Sequence, residues 1–66
     1  MKLVINGEEQ EVPEAIHVAG LLDFLGVPRE RVAVEVNLAV VKRADHDKHL
    51  LAPGDQVEVV AFVGGG

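Results

Sequence analysis

The 66-residue chain has no cysteine, tryptophan or tyrosine, and only two phenylalanines. Without cysteine there is neither a disulfide framework nor a cysteine-ligated zinc to staple so small a domain. No side chain can act as a thiolate nucleophile or carry a persulfide. Basic residues are scarce, six against eleven acidic ones, for a formal net charge of −5. That balance argues against nucleic-acid binding by phosphate neutralisation and favours a basic protein partner. No apolar run approaches the roughly 20 residues needed to cross a bilayer. Met1-Lys2-Leu3 leads directly into a strand pattern rather than a signal peptide. The expectation is a cytoplasmic protein with neither a nucleic-acid nor a membrane partner. A phosphate-binding glycine loop is also missing, so nucleotide chemistry belongs to another protein.

What is present suffices for one domain: 48% of the residues are hydrophobic, many of them valine. Lys2 to Ile5 reads as a strand, Asn6-Gly7 as a type I′ hairpin turn, and the acidic Glu8 to Val12 as a returning edge strand. Val18, Leu21, Leu22 and Leu25 then recur at helical spacing, with Gly26 at the C-terminal cap and Pro28 preventing resumption. The helix start is poorly marked, because His17 occupies the capping position and Gly20 costs about 1 kcal/mol relative to Ala. Arg31 to Asn37 is a third strand, with Val32, Val34 and Val36 on one face and Ala33 and Glu35 on the other. Asn37-Leu38-Ala39 turns into a short strand, Val40 to Lys42. A polar loop with one helical turn spans Ala44 to Leu51, and Ala52-Pro53-Gly54-Asp55 has type II turn chemistry. Gln56 to Val63 is a long final strand.

The order β-β-α-β-β-β predicts an α+β domain, a mixed sheet crossed by one main helix, with the apolar first and last strands parallel at its centre. This is the β-grasp, or ubiquitin-like, arrangement. Leu3, Ile5, Val18, Leu21, Leu22, Leu25, Val34, Val57 and Val59 are the expected core. Residues 1–63 form the domain and 64–66 a flexible tail.

That tail, Gly64-Gly65-Gly66, is the strongest functional candidate. A glycine carboxylate has no side chain, so it can thread into a narrow active site and present an unhindered carbonyl carbon. Beside it, Val60 and Phe62 share a face of the last strand with Glu58 and adjoin Ala33, making an apolar docking patch. Val57, Val59 and Ala61 face the helix. Asp45-His46-Asp47-Lys48-His49 has metal-binding residue types, but without a second ligand pair it reads as a solvated polar loop. Lys42 and Arg43 read as solvated charges.

Taken together and in order, several fragments make a resemblance that covers nearly the whole chain. They are Asn6-Gly7, Val18-Ala19-Gly20-Leu21-Leu22, Ala33-Val34-Glu35-Val36-Asn37, Val40-Val41-Lys42-Arg43, Pro53-Gly54-Asp55-Gln56-Val57-Glu58 and Phe62-Val63-Gly64-Gly65-Gly66. The chain resembles the ThiS family, sulfur-carrier proteins of thiamine (thiazole) biosynthesis within the ubiquitin-like superfamily. His17 departs from the threonine-like helix cap expected there. The resemblance implies a protein co-substrate rather than an enzyme, with no cofactor of its own. A ThiF-like adenylyltransferase using ATP and Mg²⁺ would convert the Gly66 carboxylate to an acyl-adenylate. A persulfide sulfur donor, a cysteine desulfurase or similar, would leave a thiocarboxylate, and thiazole synthase would receive the sulfur. Gly64 and Gly65 would thread the partner's active site, with Val60, Phe62 and Ala33 docking it. Alternatives are a molybdopterin synthase small subunit, a ubiquitin-like protein modifier, or a β-grasp interaction module with an inert tail.

Overall fold

Asn6 and Gly7 both take positive φ, 50° and 84°, as a type I′ turn requires. They join β1 (Lys2–Ile5) to β2 (Glu8–Glu11) in an antiparallel hairpin with Ile5 opposite Glu8. The computed structural model from which these angles come describes residues 1–62. The chain then forms α1 (Val18–Leu25), a 3₁₀ turn (Arg29–Arg31), β3 (Val32–Val36), β4 (Ala39–Val41), a second 3₁₀ turn (Arg43–Asp45) and β5 (Gln56–Ala61). The strands make one sheet in the order β2-β1-β5-β3-β4. β1 and β5 are parallel at its centre and the other pairs antiparallel, as the sequence predicts for an α+β β-grasp domain. The acidic β2 lies at one edge, where its charges oppose pairing with another sheet.

The helix closes the covered face of the sheet. Val18, Leu21 and Leu22 have no exposed surface and pack with Leu3, Ile5, Val34 and Val57. Burial of each such side chain contributes about 1.5–3 kcal/mol. Val12, Val32, Val36, Val41 and Leu51 complete the core. Gly26, at φ 74°, ends the helix: its N–H donates to Asp23 O and that of Val27 to Leu22 O, both at 3.1 Å. Gly20 has a packing role, since a Cβ there would lie 3.0 Å from Ile16 Cγ1.

Several expectations need correction. Leu25 and Val59, expected in the core, are only partly buried against it. Leu25 is the last helical residue, and Val59 lies beyond Val57, where the β1–β5 pairing ends. Ala61, expected on the helix side, is exposed for the same reason. β5 ends at Ala61 and Phe62 lies beyond it, although the Phe62 N–H still donates to Arg31 O at 2.7 Å; Val63, the expected end of the strand, lies outside the described residues. The Asn37–Leu38 turn is tight, with both residues at positive φ, so β4 starts at Ala39.

The loop after β4 is not wholly solvated. His46 is 4% exposed, and its Nε2 lies 3.1 Å from the Val41 carbonyl oxygen. The 3₁₀ turn at Arg43–Asp45 brings this histidine inward beneath the helix start. The loop also supplies the cap that His17 does not. The Val18 and Ala19 N–H groups donate to the carbonyls of His49 and His46 at 3.0 and 2.9 Å. A helix with a weak local start signal is thus capped from a distant segment.

Candidate functional site

Strand alternation builds the uncovered face. With Val32, Val34 and Val36 turned into the core, Ala33 and Glu35 point outward. Glu58 and Val60 do the same on β5. Ala33 is the Cα partner of Val60, and Glu35 that of Glu58. Val60 and Phe62 are 55% and 57% exposed. The structure therefore brings Ala33 and Val60 together and sets Phe62 two residues further toward the C-terminus. Exposed Val40, opposite Glu35 on β4, extends the apolar surface. Gly64, Gly65 and Gly66, the expected threading and attachment residues, lie outside the described residues, as does Val63.

Where β5 ends, the Phe62–Arg31 hydrogen bond ties the chain to the 3₁₀ turn at Arg29–Arg31. A nearby recess of about 440 Å³ is lined by Arg29, Glu30, Arg43, His46 and Asp47. Its two arginines are engaged within the protein. Arg29 pairs with Asp23 and Asp47 at 3.7 and 3.4 Å, and Arg43 Nη2 donates to Glu30 O at 2.6 Å. Arg43 is thus engaged with the protein's own backbone. Among the described residues, no three His, Asp or Glu side chains gather as a metal site, and no helix is long and apolar enough to cross a membrane.

The sequence reading missed a second feature of this face. Glu35 and Glu58 line a groove of about 270 Å³ together with Val4, Gly7, Leu38 and Gln56. Strand alternation had placed each glutamate on the outer face. Their register against each other needed the tertiary pairing of β3 with β5.

The ThiS family model matches residues 3–66. The chain belongs to the ThiS family. A crystal structure of the thiamine biosynthesis protein ThiS from Geobacter metallireducens superposes with a TM-score of 0.85 at 39% identity, covering all of both chains. A thiazole synthase from Paramagnetospirillum magneticum is 47% identical over all 66 residues, which make up 20% of that protein. One from Magnetococcus marinus is 46% identical over the same span, again 20% of its length. The chain thus spans about a fifth of these curated relatives. In them a ThiS-like domain is one part of a longer polypeptide.

Proposed function

We propose that this ThiS-family chain is a sulfur carrier for thiazole formation in thiamine biosynthesis, a protein co-substrate with its chemistry at Gly66. The Gly66 carboxylate attacks the α-phosphorus of ATP in the site of a ThiF-like adenylyltransferase that also holds Mg²⁺. Pyrophosphate leaves and an acyl-adenylate forms. The terminal sulfur of a donor's cysteine persulfide then attacks the carbonyl carbon and AMP departs. A second thiol cleaves the remaining S–S bond, leaving a thiocarboxylate on Gly66 and a disulfide on the donor side. Thiazole synthase takes up the sulfur and returns the carboxylate.

The observation that carries this reading is the apolar patch of Ala33, Val60 and Phe62, where Phe62 is separated from the glycines in sequence by one residue, Val63. Docking there fixes the carrier while Gly64 and Gly65 pass through a narrow opening. The absence of cysteine fits it, because the sulfur must then ride on the main chain. The two thiazole synthases that include a related domain support that enzyme as the sulfur acceptor.

The test is the intact mass of the protein after incubation with adenylyltransferase, ATP, Mg²⁺ and a persulfide donor. Exchange of one oxygen for sulfur at an activated carbonyl adds about 16 Da. An unchanged mass overturns the reading. Attachment of the whole chain to lysines of other proteins points instead to a ubiquitin-like modifier.

A further inference from the structure

Two features that cost the free protein stability meet at one place on the uncovered face. Glu35 and Glu58 are direct cross-strand partners, and among the described residues neither makes an ion pair. Like charges placed opposite one another destabilise a sheet. Leu38 takes φ 72°, a conformation that suits glycine or asparagine and is strained for leucine. Its side chain is also 88% exposed. All three residues line the same 270 Å³ groove, with Val4 on its wall. Local rules are broken together where a surface awaits something that repairs them.

We infer that this groove receives an arginine side chain of the adenylating partner. The inference rests on the reading of the uncovered face as that partner's docking surface. The volume is below the roughly 300 Å³ at which small-molecule pockets begin, so it suits a single side chain. Two facing carboxylates match the planar guanidinium, which can bridge both with separate N–H groups. Its aliphatic stem lies along Val4 and Leu38, covering the apolar surface that a bare metal ion would leave wet. A lysine offers one compact charge and bridges the pair less well. Bound, the guanidinium turns the Glu35–Glu58 repulsion into two attractions, so stability the free carrier lacks returns as affinity.

This predicts opposite signs for stability and binding. Glu35→Gln and Glu58→Gln in the free protein raise the melting temperature by about 1–8 °C, because each removes the repulsion. The same variants weaken binding to the adenylyltransferase at least about tenfold. Leu38→Asn, which tolerates the positive φ, leaves the melting temperature no lower and also weakens binding. Raising salt weakens the parent complex more than that of the glutamine variants. Phe62→Asp serves as the control for docking itself. If it weakens binding while the glutamine variants bind as the parent does, the docking face stands and the arginine inference falls. If parent and Phe62→Asp bind alike, or the parent does not bind, both fall. A lowered melting temperature for both glutamine variants overturns the inference, as does stabilisation of the free parent by Mg²⁺ or Ca²⁺ that both variants lose.

Discussion

The carboxamide of Asn6 holds both backbone polar groups of Val59: its Nδ2 donates to Val59 O at 3.3 Å, and its Oδ1 accepts from Val59 N–H at 2.8 Å. β1 pairs with β5 at Val4↔Gln56 and Ile5↔Val57 only, before the chain turns away. At Val59 the Asn6 side chain takes the place of the missing strand. Asn37, in the other tight hairpin, acts similarly. Its Oδ1 accepts from Gln56 N–H and its Nδ2 donates to Asp55 Oδ1, each at 3.0 Å. Two turn asparagines thus hold the central strand, Asn37 at its first residue Gln56 and Asn6 at Val59.

Asn6→Gly separates this role from the turn, because glycine keeps the positive φ while the carboxamide is lost. Two exposed hydrogen bonds contribute about 1–2 kcal/mol together. The expected fall in melting temperature is about 4–16 °C for a domain of this size. Asn6→Ala should fall further, adding backbone strain at φ 50°. Thermal unfolding that places Asn6→Gly level with the parent would show the carboxamide to be dispensable.

Much of this was legible in the sequence, and the remainder has a common physical cause. Strand alternation in Val32 to Val36 and the apolar stripe of α1 are local, and both appear as expected save for the half-buried Leu25 at the helix end. Asn6-Gly7 announced its turn because its φ requirement is local too. The grip of Asn6 on Val59 spans 53 residues and has no sequence signature. The same holds for the helix cap at Val18 and Ala19, supplied by the 46–49 segment, and for Glu35 facing Glu58. The polar 45–49 segment misled because composition reports average solvation. One histidine in it is buried by the turn that precedes it.

That burial makes the two loop histidines unequal. His46→Ala removes a buried ring and its hydrogen bond to Val41 O, and should cost about 1–3 kcal/mol. His49→Ala, at a more exposed site whose contribution is its backbone carbonyl to Val18, should stay within about 0.5 kcal/mol. Urea unfolding of the two variants decides it. Equal and small effects would return the loop to the solvated state that its composition suggests.

Phe62→Asp tests the apolar patch. The side chain is more than half exposed, and the hydrogen bond to Arg31 is made by the backbone N–H, which the substitution keeps. The melting temperature should therefore move by no more than about 3–4 °C. Affinity for the adenylyltransferase should fall by about 2 kcal/mol or more, roughly thirtyfold, as when an aromatic anchor is lost from an interface. Calorimetry or surface plasmon resonance with the purified pair measures this. Parent-like affinity would move the docking surface away from Val60 and Phe62.

The glycines themselves carry the last prediction. An acyl-adenylate is a mixed anhydride that water destroys, so the site that makes it must exclude solvent. Such a site is narrow, and the acyl donor has to enter as a thin extended chain. Three extended residues reach roughly 10 Å, enough to keep the folded body outside. A β-carbon at Gly65 thickens the chain and removes backbone conformations that glycine allows. Gly65→Val should leave the melting temperature and the docking affinity unchanged, because its effect is confined to the entering segment. It should slow ATP–pyrophosphate exchange catalysed by the adenylyltransferase by at least about a hundredfold, the scale expected when a reacting group is misplaced by about 1 Å. One alanine added after Gly66 should act alike, by placing a different carboxylate, on a carbon that bears a methyl group, at the phosphorus. Normal exchange with both variants would mean that the glycines are not the substrate, and the sulfur-carrier proposal would fall with them.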